Sequence, residues 1–253
     1  MADETFDPGV EWLEAVIPEG IPLNRSTVIS GPGGSGKPLI GFAILDAWLE
    51  AGGEAVVLLS NSDAEFVYET MDLLYETERQ TIDGQATFVD FDPEREPTVE
   101  AMETPADGPI AGNLLEPAVW RSALEAAIER SEDSGPGTLL FGTALNLFLF
   151  SDTYREGILA AFEETVERRD VTGLFTVSSS AYAEKIGRVE AAANTVLMTE
   201  MDEETLRLRG ERSEQVELEQ SFVEVPFTPE ELDRIRTVAE SSRDELLPTI
   251  RSV

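Results

Sequence analysis

The stretch Thr27-Val-Ile-Ser-Gly-Pro-Gly-Gly-Ser-Gly-Lys-Pro-Leu-Ile-Gly-Phe42 decides how the rest of the chain is read. It opens as a short β-rich run, breaks into glycines and continues as an apolar pattern at helical spacing. Gly31 to Lys37 fits G-x-x-x-x-G-K, and phosphate chemistry explains that spacing. Glycines let backbone N–H groups curl around phosphate oxygens, Gly36 and Lys37 open a helix whose N-terminus favours anions, and the lysine ammonium reaches the outer phosphates. The candidate nucleotide-binding residues are therefore Gly31, Gly33, Gly34, Ser35, Gly36, Lys37 and Pro38. The bland alternative is a glycine-rich turn with no ligand. Lysine scarcity weighs against it, because the chain has only Lys37 and Lys185, and one of them stands where the motif needs it.

The motif breaks at its last position. A Ser or Thr hydroxyl there would hold Mg²⁺, and this chain has Pro38, which has no hydroxyl and no N–H. Near a helix start the missing donor costs the helix little, so the loop keeps its shape while losing a metal ligand.

Composition narrows the chemistry further. The 253 residues carry 51 acidic and 18 basic side chains, a formal net charge of −33. In molar salt the Debye length falls to about 3 Å, so a carpet of carboxylates stops repelling itself and keeps the protein hydrated. We read the acidity as halophilic, with most Asp and Glu on solvated faces, including Glu203 and Glu204. The same field disfavours a general nucleic-acid surface. With no His and no Cys there is no Cys/His zinc site, thiol nucleophile, imidazole base or disulfide. The start lacks a basic signal-like segment and no apolar run approaches 18 residues, so a cytoplasmic protein with no membrane span is expected.

Before the loop, residues 9–26 form an amphipathic turn carrying Trp12, Leu13 and Val16, then a Pro/Gly bend. After it, Leu39, Ile40, Ala43, Ile44, Ala47 and Trp48 predict a helix, and Glu54–Ser60 a buried strand. Asp63–Tyr75 reads as a second helix and Ala86–Phe91 as a short strand, a βαβα rhythm that indicates a parallel sheet. Residues 92–117 are a proline-rich acidic surface excursion, expected to be mobile. Helices follow at Ala118–Ser131 and Tyr154–Arg168, and strands at Thr138–Ala144 and Val171–Ser179. A hairpin turns around Asp202–Glu204. Thr228-Pro-Glu-Glu231 is a capping-box signature that opens a C-terminal helix with Leu232, Ile235, Val238 and Leu246 on one side.

Taken with the Gly31–Lys37 motif, Gly9, Leu13, Glu14 and Gly20-Ile21-Pro22 resemble the entry segment of the KaiC/RecA-type ATPase family. The resemblance covers most of residues 9–212 and is weaker after 62. It implies an α/β RecA-like P-loop fold, a mainly parallel sheet flanked by helices, over 1–225, with a C-terminal hairpin and a helix in 226–253. It also implies ATP or ADP as ligand. Where the family carries an Asp after an apolar strand, this chain has Gly142. Where it carries Glu-Glu after the second strand, this chain has Asn61 and Ser62, with Asp63 a weak catalytic candidate one step on. Arg207-Leu208-Arg209-Gly210 resembles the family's basic-x-Arg-Gly motif, which makes Arg207 and Arg209 intersubunit candidates in a homo-oligomer. Surface ion pairs are the simpler reading of those arginines.

Losses at Pro38, Gly142 and Asn61/Ser62 all strike metal binding or water activation, while the cradle and Lys37 remain. The pattern predicts a nucleotide binder with weak or absent Mg²⁺ binding and little turnover, acting as a regulator or scaffold through other proteins. Two alternatives stay open: an active Mg²⁺-dependent ATPase using displaced ligands such as Asp63 or Ser35, and a pure interaction module with a vestigial loop.

Overall fold

The computed structural model describes residues 4–60, 64–132, 134–143, 145–203, 205–233, 237 and 247–251. The chain begins with β1 (Thr5–Phe6), α1 (Glu11–Glu14) and β2 (Ile21–Pro22), with β1 and β2 paired antiparallel as a small flap. The main body is β3 (Ser26–Gly31), α2 (Lys37–Glu50), β4 (Glu54–Leu59), α3 (Ala64–Tyr75), α4 (Arg79–Gln85), β5 (Ala86–Phe91) and β6 (Ile110–Gly112). There follow α5 (Pro117–Ile128), β7 (Thr138–Gly142), α6 (Arg155–Val166), β8 (Thr172–Ser178), α7 (Ala183–Ala192), β9 (Thr195–Asp202), β10 (Thr205–Ser213) and β11 (Val223–Val225).

Nine strands form one sheet in the order β11-β10-β9-β3-β8-β7-β4-β5-β6. Pairing is parallel from β9 to β6, and antiparallel only where β10 and β11 fold back. Helices cover both faces, which is why the central strands β3, β4, β7 and β8 are buried at nearly every position rather than at alternate ones. Along β4, Val56 and Leu58 join one core, while Ala55, Val57 and Leu59 join the other. α2, α3 and α4 pack on the second of these faces, and α5, α6 and α7 on the first. The sheet is α/β and mainly parallel, as the motif rhythm predicts.

The differences from expectation lie at the periphery. Residues 92–117 are tied down: Ile110–Gly112 adds an edge strand to β5, the Arg95 side chain pairs with Asp92 and Glu103, and Arg130 donates to the carbonyls of Gly108 and Pro105. The second strand of the hairpin, β10, runs on past Leu208, because Arg209–Ser213 continues the pairing with β9 through a register shift. The capping box at Thr228 forms, with its N–H and hydroxyl donating to Glu231 and the Glu231 N–H returning to the Thr228 hydroxyl. Helix starts there and helix reappears at 247–251. Leu232 packs on the α2 face, and Leu247 and Ile250 on the other. Ile235, Val238, Leu246 and Glu204 lie outside the described residues.

Candidate nucleotide-binding site

β3 delivers the loop to the C-terminal edge of the sheet, in the middle of the strand order, and α2 carries the chain away. Gly31 ends β3 where a Cβ would stand 2.2 Å from Thr199 Oγ1 and 2.6 Å from the Thr199 carbonyl oxygen, so no larger residue fits. Gly36 caps α2 in the left-handed region at φ 66°, with Leu232 and Leu206 packed against its Cα face.

Lys37 lies under the loop and is only 6% exposed. Its Nζ donates to the carbonyls of Pro32 (2.6 Å) and Gly31 (3.1 Å) and to Ser35 Oγ (3.0 Å). The chain continues from Ser35 Oγ to Thr199 Oγ1 (2.8 Å) and from Thr199 Oγ1 to the Ser30 carbonyl (3.3 Å). One direction satisfies every group: lysine to Ser35, Ser35 to Thr199, Thr199 to the backbone. Burial pushes the Lys37 ammonium down to about 8. No carboxylate among the described residues pairs with it, although Lys185 pairs with Glu156 on the surface. A buried cation without a counter-ion is costly, and an anion seated on the loop relieves that cost.

Loop donors divide into two sets. The Gly33 N–H donates to Ser180 Oγ (2.7 Å) and the Ser35 N–H to the Pro32 carbonyl (3.4 Å). The N–H groups of Gly34, Gly36 and Lys37 have no acceptor among the described residues. The loop therefore carries three N–H groups without an acceptor next to the Lys37 ammonium, whose own hydrogen bonds go to Gly31, Pro32 and Ser35, and Pro38 adds none.

The neighbouring strand ends differ in kind. β8 lies between β3 and β7, and its C-terminus brings Ser178, Ser179 and Ser180 beside the loop, with the Ser179 N–H donating to the Gly31 carbonyl (2.9 Å). The Ser180 N–H reaches Ser178 Oγ (3.4 Å), and Asn146 Oδ1 accepts the Ser178 N–H (3.2 Å). At the end of β7 a Cβ on Gly142 would stand 2.8 Å from Leu145 Cδ1 and 3.1 Å from Phe175 Cδ1, so apolar side chains fill the direction a carboxylate would take. Ser60, at the end of β4, spends its hydroxyl on the Thr143 carbonyl (2.6 Å). Asn61, Ser62 and Asp63 lie outside the described residues.

A divalent ion does not fit the donor set that the described residues supply. Pro38 offers no oxygen, Gly142 is walled by Leu145 and Phe175, and Ser35 is buried and bonded on both sides. Among the described residues no three Asp or Glu side chains group as metal ligands.

Arg207 and Arg209 sit on the outward face of β10, away from Leu206 and Leu208, which point into the α2-side core. Arg207 pairs with Asp202 (2.5 Å) and Glu200 (3.8 Å), Arg209 with Glu211 (2.5 Å), and the Arg209 guanidinium lies over the Phe222 ring. Neither arginine reaches the loop of its own chain through any of these contacts. Sequence reading missed Ser178, Ser180, Thr199 and Asn146. The signal available was three consecutive serines directly after an apolar strand.

No protein-family model matches the sequence, and no curated protein matches it. Among solved structures the chain is similar to a KaiC-like protein from the hyperthermophilic archaeon Pyrococcus horikoshii, with a TM-score of 0.65 and 14% identity. The match spans 90% of this chain and 96% of that one. The fold is thus of the KaiC/RecA type, an α/β body with a mostly parallel sheet between helical layers. Among the described residues no helix is long and apolar enough to cross a membrane.

Proposed function

We propose that this protein binds a nucleotide, ATP or ADP, at Gly31–Lys37 and hydrolyses it slowly or not at all. The observation that carries this reading is Lys37: a buried ammonium held by loop carbonyls, with no carboxylate partner among the described residues, in a chain of 51 acids. It stands under three open N–H donors, an arrangement that suits a polyphosphate.

Turnover needs neutralisation of charge on the transferring phosphoryl group and an oriented water. Among the described residues, those at the ends of β4, β7 and β8 are Ser60, Gly142, Ser178 and Ser180; the serine hydroxyls bind and orient but do not accept a proton at neutral pH, and Gly142 offers no side chain. The protein's role is then regulatory or scaffolding, exerted through other proteins, in a molar-salt environment that its charge of −33 suits. The active-ATPase reading through Ser35 meets a hydroxyl already bonded to Lys37 and Thr199.

The test is equilibrium binding of ATP and ADP in molar KCl to wild type and to Lys37→Ala. Saturable binding in wild type, weakened at least about tenfold in the variant, supports the reading. Absence of binding by wild type points to the interaction module with a vestigial loop.

A further inference from the structure

The mismatch between this site and a divalent ion comes with a positive feature. On the strand ends beside the loop, where a metal and its carboxylate would neutralise the outermost phosphate, the chain places neutral donors. Ser180 Oγ accepts the Gly33 N–H at 2.7 Å, which fixes the oxygen and leaves the hydroxyl proton to donate. A Cβ built on Gly33 would lie 3.4 Å from Ser180 Oγ and 3.6 Å from Ser178 Oγ, so both hydroxyls border the same flank of the loop. Asn146 commits Oδ1 to the Ser178 N–H, which turns its Nδ2 donors outward from that contact.

The place on the loop matters. Gly36 and Lys37 stand at the start of α2, where helix N–H groups suit the innermost phosphate, and Gly33 comes earlier in the loop, beside the end of β8. A group bordering Gly33 meets the phosphate furthest from the helix. Hydroxyl and amide donors fixed by backbone hydrogen bonds, as Ser180 and Asn146 are, stabilise an anion without the charge, or the dehydration cost, of a small divalent ion.

We infer that the outermost phosphate of a metal-free nucleoside triphosphate is held by the Ser178 and Ser180 hydroxyls and the Asn146 amide, so that binding is indifferent to divalent cations and favours the triphosphate over the diphosphate. This rests on the nucleotide reading above. Ser180 and Asn146 act as specificity-determining contacts, since the inner phosphates have their own donors in the backbone N–H groups of Gly34, Gly36 and Lys37. Asn146→Asp keeps the acceptor for the Ser178 N–H and replaces the donor with a charge that repels phosphate. Ser180→Thr keeps the hydroxyl.

The experiment is calorimetric titration of ATP and of ADP into the full chain in molar KCl, once with EDTA and once with MgCl₂. Circular dichroism confirms that each variant is folded. Wild type is expected to bind ATP more tightly than ADP in EDTA, with MgCl₂ changing either affinity by less than about twofold. Ser180→Ala and Asn146→Asp should each weaken ATP in EDTA by about tenfold, the worth of one hydrogen bond to a charged group, and leave ADP within about twofold. Ser180→Thr should behave as wild type. The inference is overturned if MgCl₂ tightens ATP binding to wild type by about tenfold or more, or if both variants shift ATP and ADP equally or not at all. Wild type that binds neither nucleotide under either condition defeats the nucleotide reading itself, and this inference with it.

Discussion

Two neighbouring parts of one sheet edge have been built to different rules. At the end of β3 every feature of an anion cradle survives: glycines without steric alternatives at Gly31 and Gly36, open N–H donors, and a lysine buried beneath them. At the end of β7 the corresponding chemistry is replaced by packing, with Leu145 and Phe175 closed over Gly142. The fold alone explains neither, since it brings both strand ends to one edge. On the proposed reading, binding and turnover depend on separable sets of residues: Gly31, Gly36 and Lys37 form the first, and Gly142, a member of the second, is closed in by Leu145 and Phe175.

The sharpest way to break that contrast is at the lysines. Lys37→Ala should weaken ATP binding by about a hundredfold, because it removes the charge under the outer phosphates. Lys185→Ala, which removes a surface ion pair with Glu156, should leave affinity within about twofold. Equal effects from both in titrations would mean that general charge, not the loop, attracts the nucleotide.

Restoring a carboxylate at the other part tests whether it really is packing. Gly142→Asp should lose about 2–4 kcal/mol of stability to denaturant in molar salt, as a polar group is forced among Leu145 and Phe175. Unchanged stability accompanied by new Mg²⁺ dependence of binding would show that the pocket still accommodates a metal ligand.

A smaller effect comes from pH. Lys37 in the free protein loses its proton near pH 8, against 10.5 in an unfolded chain, because burial disfavours the charged form. Bound phosphate favours the ammonium, so log affinity should be flat below about pH 8 and fall by up to about one unit per pH unit above it. Lys37→Ala should abolish the slope. The same group makes stability of the ligand-free protein rise with pH between about 8 and 10.5, where the unfolded chain binds more protons.

The smallest expected effect is at Arg209. Its pairing with Glu211 and its place over Phe222 within one chain predict that Arg209→Ala changes stability by less than about 1 kcal/mol and leaves the mass in light scattering unchanged. A nucleotide-driven oligomer that this substitution abolishes would instead assign Arg207 and Arg209 to a subunit boundary.

The strand–loop–helix of β3–α2 was legible because three local signals agree there: apolar β residues, glycines at forced positions, and helical periodicity after Lys37. The parallel sheet followed from βαβα rhythm. The insertion of β8 between β3 and β7 was not legible, since strand order depends on long-range pairing that no local pattern records. α7 escaped notice because only Ile186 and Val189 are buried on it and Gly187 interrupts its middle. The serines at the end of β8 escaped for a related reason: their chemistry appears only once Ser180 is seen against Gly33, 147 positions away in sequence. Leu232 against Gly36 belongs to the same class of tertiary fact.

The central claim is that binding has been kept and turnover lost. Phosphate release from ATP, measured in molar KCl with MgCl₂ at nucleotide concentrations that saturate wild type, tests it most directly when wild type is compared with Lys37→Ala. The account predicts the same background rate from both proteins, while wild type alone holds nucleotide. Mg²⁺-dependent release by wild type that disappears in Lys37→Ala would contradict it and make the protein an active ATPase with metal and water held by other residues.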